Sequence, residues 1–146
     1  MGSTVREILS AKGSTVHTVD SGVTAKEAVR RMIETNVGSL VVTKEEAILG
    51  IFTERDYLRR IVLDDQPTET RLAEVVTERL IAVDPDRSID DCMAIMTQER
   101  IRHLPVMDGE RLAGIVSIGD LVKHLSKEQA SELQYMSDFI AGRYSA

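Results

Sequence analysis

Tryptophan is absent from this chain of 146 residues, and aromatic residues of any kind make up only 3% of it. Stacking platforms for single-stranded bases are therefore nearly missing. The net charge of −6 removes the broad basic face that phosphate-backbone binding needs, so general nucleic-acid binding is not expected. The lone cysteine, Cys92, cannot close an internal disulfide, which makes a reducing, cytoplasmic setting the expectation. No apolar run approaches the roughly 18 residues of a membrane span. The start, Met1 to Arg6, lacks the apolar core of a signal peptide, and Arg6 stands where a myristoylation signal wants a hydroxyl. No membrane association is expected.

Enzyme signatures are missing too. GIVSIG, residues 114 to 119, is one residue too long for a nucleophile elbow, which leaves Ser117 without support as a nucleophile. Neither Gly-x-Gly-x-x-Gly nor a Walker A sequence occurs. DPDRSIDD, residues 84 to 91, places Ile89 where a calcium loop needs glycine. Three dispersed histidines and one cysteine show no zinc-ligand spacing. The sequence predicts no catalysis, no catalytic cofactor and no metal.

What the chain does contain is a duplication. At an offset of 64 residues, Val16 to Ile61 matches Leu80 to Leu125 without a gap, pairing Asp20 with Asp84, Met32 with Met96, Leu40 with Leu104, Gly50 with Gly114 and Asp56 with Asp120. Two copies are too few for a solenoid, so the expectation is one pseudo-symmetric unit. Each copy opens with a short extended segment, Val16 to Val19 or Leu80 to Val83. A helix follows from Thr24 or Ser88, where Thr24 with Glu27 and Ser88 with Asp91 have the spacing of capping boxes. Ala25, Ala28, Val29, Met32 and Ile33 mark one helical face, as Ile89, Cys92, Met93 and Met96 do in the second copy. Two apolar runs then suggest a strand pair, and a second helix begins at Thr53 or Ser117. A lead segment, TVREIL at residues 4 to 9, resembles RLAEVV at 71 to 76, but there the offset is 67, so the first copy has additional residues near Lys12 to Ser14. Leu133, Met136, Ile140 and Tyr144 recur at helical spacing in the tail and are read as covering the core, with a dimer contact as the alternative. The expected division is 1–66, 67–126 and a helical tail 127–146.

The heptapeptides GIFTERD, residues 50 to 56, and GIVSIGD, residues 114 to 120, share glycine, isoleucine, a hydroxyl residue and aspartate. With the strand-helix-strand-strand-helix order, this duplicated Gly-h-x-Thr/Ser-x-x-Asp pattern resembles a tandem pair of CBS domains, over nearly the whole chain. The resemblance implies an α/β (α+β) fold of two β-α-β-β-α domains packed through their sheets, with two clefts for adenine nucleotides. Such pairs commonly dimerise. Without an attached catalytic domain they act as sensors or as regulators of a separate protein partner.

The chemistry of the motif agrees with that implication. Glycine lets the backbone approach a ligand closely, the hydroxyl sits beside unpaired N–H groups at the helix start, and an ionised aspartate can accept from both hydroxyls of a ribose. By the resemblance, one site comprises Gly50, Thr53, Arg55, Asp56, Leu80, Ile81, Arg102, His103 and Pro105. The other comprises Lys12, Val16, His17, Gly38, Ser39, Ile115, Ser117 and Asp120. Arg102 and His103 are the cations expected to hold phosphate, and their counterparts Gly38 and Ser39 are neutral, so the Asp56 site is expected to favour AMP, ADP, ATP or NAD. Lys12 is the remaining candidate cation for the Asp120 site. The competing reading is a structural or protein-interaction module in which hydroxyl and acid only cap helices.

Overall fold

A computed structural model of the chain describes residues 2–13, 15–76 and 80–140. In chain order the elements are α1 (Val5–Lys12), β1 (Thr18–Asp20), α2 (Ala25–Thr35), β2 (Ser39–Lys44), β3 (Ala47–Thr53), the short α3 (Glu54–Asp56) running into a π-helical segment (Tyr57–Leu63), α4 (Leu72–Val75), α5 (Ile89–Glu99), β4 (His103–Asp108), β5 (Arg111–Ser117) and α6 (Ile118–Ile140). Helices and small sheets are mixed, as an α+β fold requires. The chain divides into two compact units, Thr15–Ile81 and Met1–Ser14 with Ala82–Ala146.

In the Thr15–Ile81 unit, β1 pairs parallel to β2, and β3 returns antiparallel through a two-residue turn. Glu45 and Glu46 in that turn both take positive φ, 52° and 70°, the backbone a tight right-twisted hairpin demands. Val19, Leu40, Val42 and Phe52 from the strands meet Ala25, Ala28 and Met32 of α2, with Ile61, Leu72, Val75 and Val76 completing the core. Thr24 accepts from the Glu27 amide to start α2, and Asn36, left-handed at φ 55°, ends it. The other unit repeats this plan. Val83, Ile89, Cys92, Met96, Leu104, Val106 and Val116, each 64 positions beyond a residue of the first core, are all buried, together with Val5 and Ile8 of α1. Burying one such side chain contributes about 1.5–3 kcal/mol.

The lead segments are exchanged relative to chain order. The amides of Val5 and Arg6 donate to the carbonyls of Arg87 and Pro85, and Ile89 donates to Ser3; in the first repeat Leu72 and Ala73 donate to Val23 and Ser21, and Ala25 donates to Thr70. Thus α1 packs in the unit built from the second repeat and α4 in the unit built from the first. Each repeat's core is thus completed by the lead segment that adjoins the other repeat in sequence.

Two expectations are corrected. Residues 80 to 82 form no strand; only Val83 bridges to Val106. The first repeat extends β1 with bonds from the Val41 amide to the His17 carbonyl and from the Ser21 amide to the Thr43 carbonyl. Their counterparts 64 residues on are Pro105 and Pro85, which have no N–H to donate. The tail is not a separate element either: α6 is continuous from Ile118, and Leu133 and Met136 are 68% and 58% exposed, so they do not cover the core. Tyr144 and the Ile140 side chain lie outside the described residues. Among the described residues, no helix is long and apolar enough to cross a membrane.

Candidate functional site

The strand-to-helix junctions are built alike in both units. At the end of β3 the Thr53 amide donates to Asp56 Oδ2 at 2.9 Å, and the Asp56 amide donates to Thr53 Oγ1 at 3.2 Å. After β5, Ser117 and Asp120 make the same reciprocal pair, at 2.8 and 3.1 Å. Each aspartate is thereby locked at a helix start by a reciprocal cap. At the starts of α2 and α5 the hydroxyls of Thr24 and Ser88 also accept an amide. There, however, the acids turn outward: Glu27 pairs with Arg30 and Arg31, and Asp91 lies 3.8 Å from Arg87.

The junctions also fix the first residues of the strand pair. The Glu54 amide donates to the Gly38 carbonyl and the Ile118 amide to the Arg102 carbonyl, so Gly38 and Arg102 sit against the helix start of their own repeat. Ser39 lies opposite Thr53, and His103 opposite Ser117. Arg102 and Arg55 are exposed, while Ser39 and Pro105 are buried.

Lys12, at the last turn of α1, adds a cation to the Asp120 junction. Its ammonium lies 2.7 Å from Asp120 Oδ2 and 2.9 Å from the Ile115 carbonyl oxygen. Burial alone would raise the Asp120 pKa, but the Lys12 hydrogen bond, the Ser117 amide and the lysine charge outweigh it and hold the carboxyl below its ordinary value. With the two side chains 35% and 23% exposed, the pair contributes about 1 kcal/mol. The Lys12 ammonium and the Ser117 amide both donate to Asp120 Oδ2.

The role expected for glycine also changes. Gly50 and Gly114 lie within β3 and β5 rather than at strand ends, opposite Val42 and Val106. A Cβ on Gly114 would stand 2.7 Å from Leu9 Cδ2 and 3.1 Å from Leu9 Cδ1, so this glycine makes room for α1. Leu9 is the residue that sequence reasoning missed, and the match between TVREIL and RLAEVV was the available signal. Of the remaining candidates, His17 is exposed and offers its carbonyl to Val41, and Val16, Leu80, Ile81 and Ile115 are half-buried. The Asp56 set takes Gly50, Thr53, Arg55, Asp56, Leu80 and Ile81 from one unit and Arg102, His103 and Pro105 from the other. The Asp120 set takes Lys12, Ile115, Ser117 and Asp120 from one and Val16, His17, Gly38 and Ser39 from the other.

The family model for the CBS domain matches residues 5–63 and 72–127. The chain belongs to the CBS domain family. It is a CBS domain pair, a regulatory module. A curated CBS-domain-containing protein of Arabidopsis thaliana, named as mitochondrial, is 37% identical over 154 aligned residues, spanning 97% of this chain and 74% of that protein. A putative signal-transduction protein with CBS domains from Burkholderia ambifaria has a solved structure 44% identical to this CBS pair, with a TM-score of 0.84 over 87% of this chain and 96% of that one. A more distant CBS pair, solved with 5′-methylthioadenosine and S-adenosyl-L-methionine, is 23% identical with a TM-score of 0.77, covering 88% of this chain and 99% of that one, and shares the fold alone.

Proposed function

We propose that this CBS pair is a sensor of an adenine nucleotide, one of AMP, ADP, ATP or NAD, that signals occupancy to a separate protein partner by changing conformation. The supporting observation is the reciprocal hydroxyl–aspartate lock repeated at both strand-to-helix junctions, which holds a carboxylate where ribose hydroxyls can donate to it. A charge-assisted bond of that kind contributes about 1.5–3 kcal/mol. Another CBS pair, solved with 5′-methylthioadenosine and S-adenosyl-L-methionine, supports an adenosine-type ligand. Thr53 and Asp56 at one site, and Ser117 and Asp120 at the other, take the ribose. Arg102 and His103 take phosphate at the Asp56 site. Lys12, held by Asp120, is not available to grip phosphate at the second, so a phosphorylated ligand favours the first. The module acts in the cytoplasm, is not itself an enzyme, and works as a homodimer, a reading favoured by the exposed Leu133, Tyr135 and Met136 on α6. Signalling requires the ligand to bind one conformation more tightly than another.

Calorimetry with the four nucleotides, and S-adenosylmethionine as a ligand without phosphate, on protein stripped of copurified ligand tests the proposal. Saturable binding of at least one nucleotide, weakened by Arg102→Ala, is expected. Absence of binding to all four at about millimolar concentration would leave the structural or protein-interaction module as the function.

A further inference from the structure

The end of α1 opposite Lys12 carries a second cluster. His124 and Glu128, one turn apart on α6, present one face to Glu7 of α1. His124 Nε2 lies 3.0 Å from Glu128 Oε1 and 3.8 Å from Glu7 Oε2. The three donor atoms all fall within 4.8 Å of one another. Ser3 donates its hydroxyl to the same Glu128 oxygen, fixing that carboxylate from outside. The imidazole is only 20% exposed, while Glu7 and Glu128 are 56% and 42% exposed, so the cluster is anchored on the inside and open to solvent on the other. A neutral imidazole has at most one proton at Nε2, yet two carboxylates converge on that atom.

We propose that Glu7, His124 and Glu128 bind a divalent transition-metal cation of the zinc class, with water completing its shell. A tetrahedral ion with bonds of about 2.0–2.1 Å sets its donors about 3.3 Å apart. The observed 3.0 and 3.8 Å between the imidazole and each carboxylate bracket that spacing, and the third pair lies within 4.8 Å, to be closed by rotation of the exposed Glu7 side chain. One imidazole with two carboxylates suits zinc and its neighbours, whereas calcium takes six to eight oxygens and magnesium keeps most of its water. The cation would tie α1 to α6. Because α1 also delivers Lys12 to Asp120, occupancy of this site and the state of the Asp120 junction share one helix.

The test uses the full chain, free of any histidine tag and stripped with chelator. Titration with zinc chloride by calorimetry, and with cobalt(II) followed by visible absorption, should show one equivalent bound with Kd below about 10 µM. Zinc should also raise the melting temperature. Glu7→Gln and His124→Gln should each weaken binding at least about tenfold and abolish the zinc-dependent rise, while melting as the parent does without metal. Glu7→Gln, at an exposed position, serves if His124→Gln folds poorly. No binding by about 1 mM zinc, or binding undiminished in both variants, would overturn the proposal and leave a hydrogen-bonded clasp.

Discussion

Replacing Gly114 by alanine should change the sign of its effect according to what stands at position 9. Gly114 has ordinary negative-φ backbone and is buried, so alanine meets no conformational barrier and removes the entropic cost of glycine in a strand, a gain of about 0.5–1 kcal/mol. Against that gain stands the approach of 2.7 Å to Leu9 Cδ2 and 3.1 Å to Cδ1. Overpacking of this kind costs about 1–3 kcal/mol, reduced here because the obstructing atoms are the end of a half-buried leucine. The expected sum is a net loss of about 1 kcal/mol, or about 2–4 °C in melting temperature. In a Leu9→Ala background the obstruction is gone, and the same Gly114→Ala change should stabilise by about 0.5–1 kcal/mol. Urea denaturation of the four proteins, with unchanged m-values, measures the coupling. Additive effects, or destabilisation in both backgrounds, would refute the packing account of this glycine.

Lys12→Met tests the ion pair. Because Asp120 titrates below its ordinary value in the folded state, its stabilisation is present above the unfolded pKa and is lost as pH falls through the folded one. The variant should therefore cost about 1 kcal/mol at neutral pH, and the difference should shrink as pH falls below about 4; a pH-independent difference in urea denaturation would contradict this. Cys92, fully buried, has a pKa raised to about 11, chiefly by burial, with Arg87 opposing and Asp91 and Asp84 adding to it. A disulfide reagent at pH 8 should react with it at least about a hundredfold more slowly than in denaturant, and equal rates would show an accessible thiol.

The repeat and its element order were legible because one apolar pattern serves two cores: Val19, Met32, Leu40 and Val42 are buried, and so are Val83, Met96, Leu104 and Val106. The exchange of α1 and α4 was not. Similarity between the lead segments shows that each fits such a core but not which one, since the two cores offer the same hydrogen-bonding carbonyls at Arg87 and Pro85 and at Val23 and Ser21. The loss of the first strand in the second repeat, where Val83 makes only a bridge, could have been read from Pro85 and Pro105 once the registers of the first repeat were known. At the candidate site, the hydroxyl and acid were visible as motif residues. Lys12, 108 positions from Asp120, was named for its site through the family resemblance, whereas Leu9, 105 positions from Gly114, lay beyond the reach of local spacing. Glu7 and His124 are separated in the same way.

The nucleotide reading rests on a carboxylate accepting from a ribose, and the affinity of the preferred nucleotide against its 2′-deoxy counterpart measures that directly. One lost charge-assisted hydrogen bond should weaken the deoxy ligand by about tenfold or more in the parent protein. Asp56→Asn, which keeps the size of the side chain, should abolish most of that discrimination at the preferred site while leaving the melting temperature within about 3 °C. Equal affinity for ribose and deoxyribose ligands in the parent, or full discrimination surviving in both Asp56→Asn and Asp120→Asn, would contradict the account.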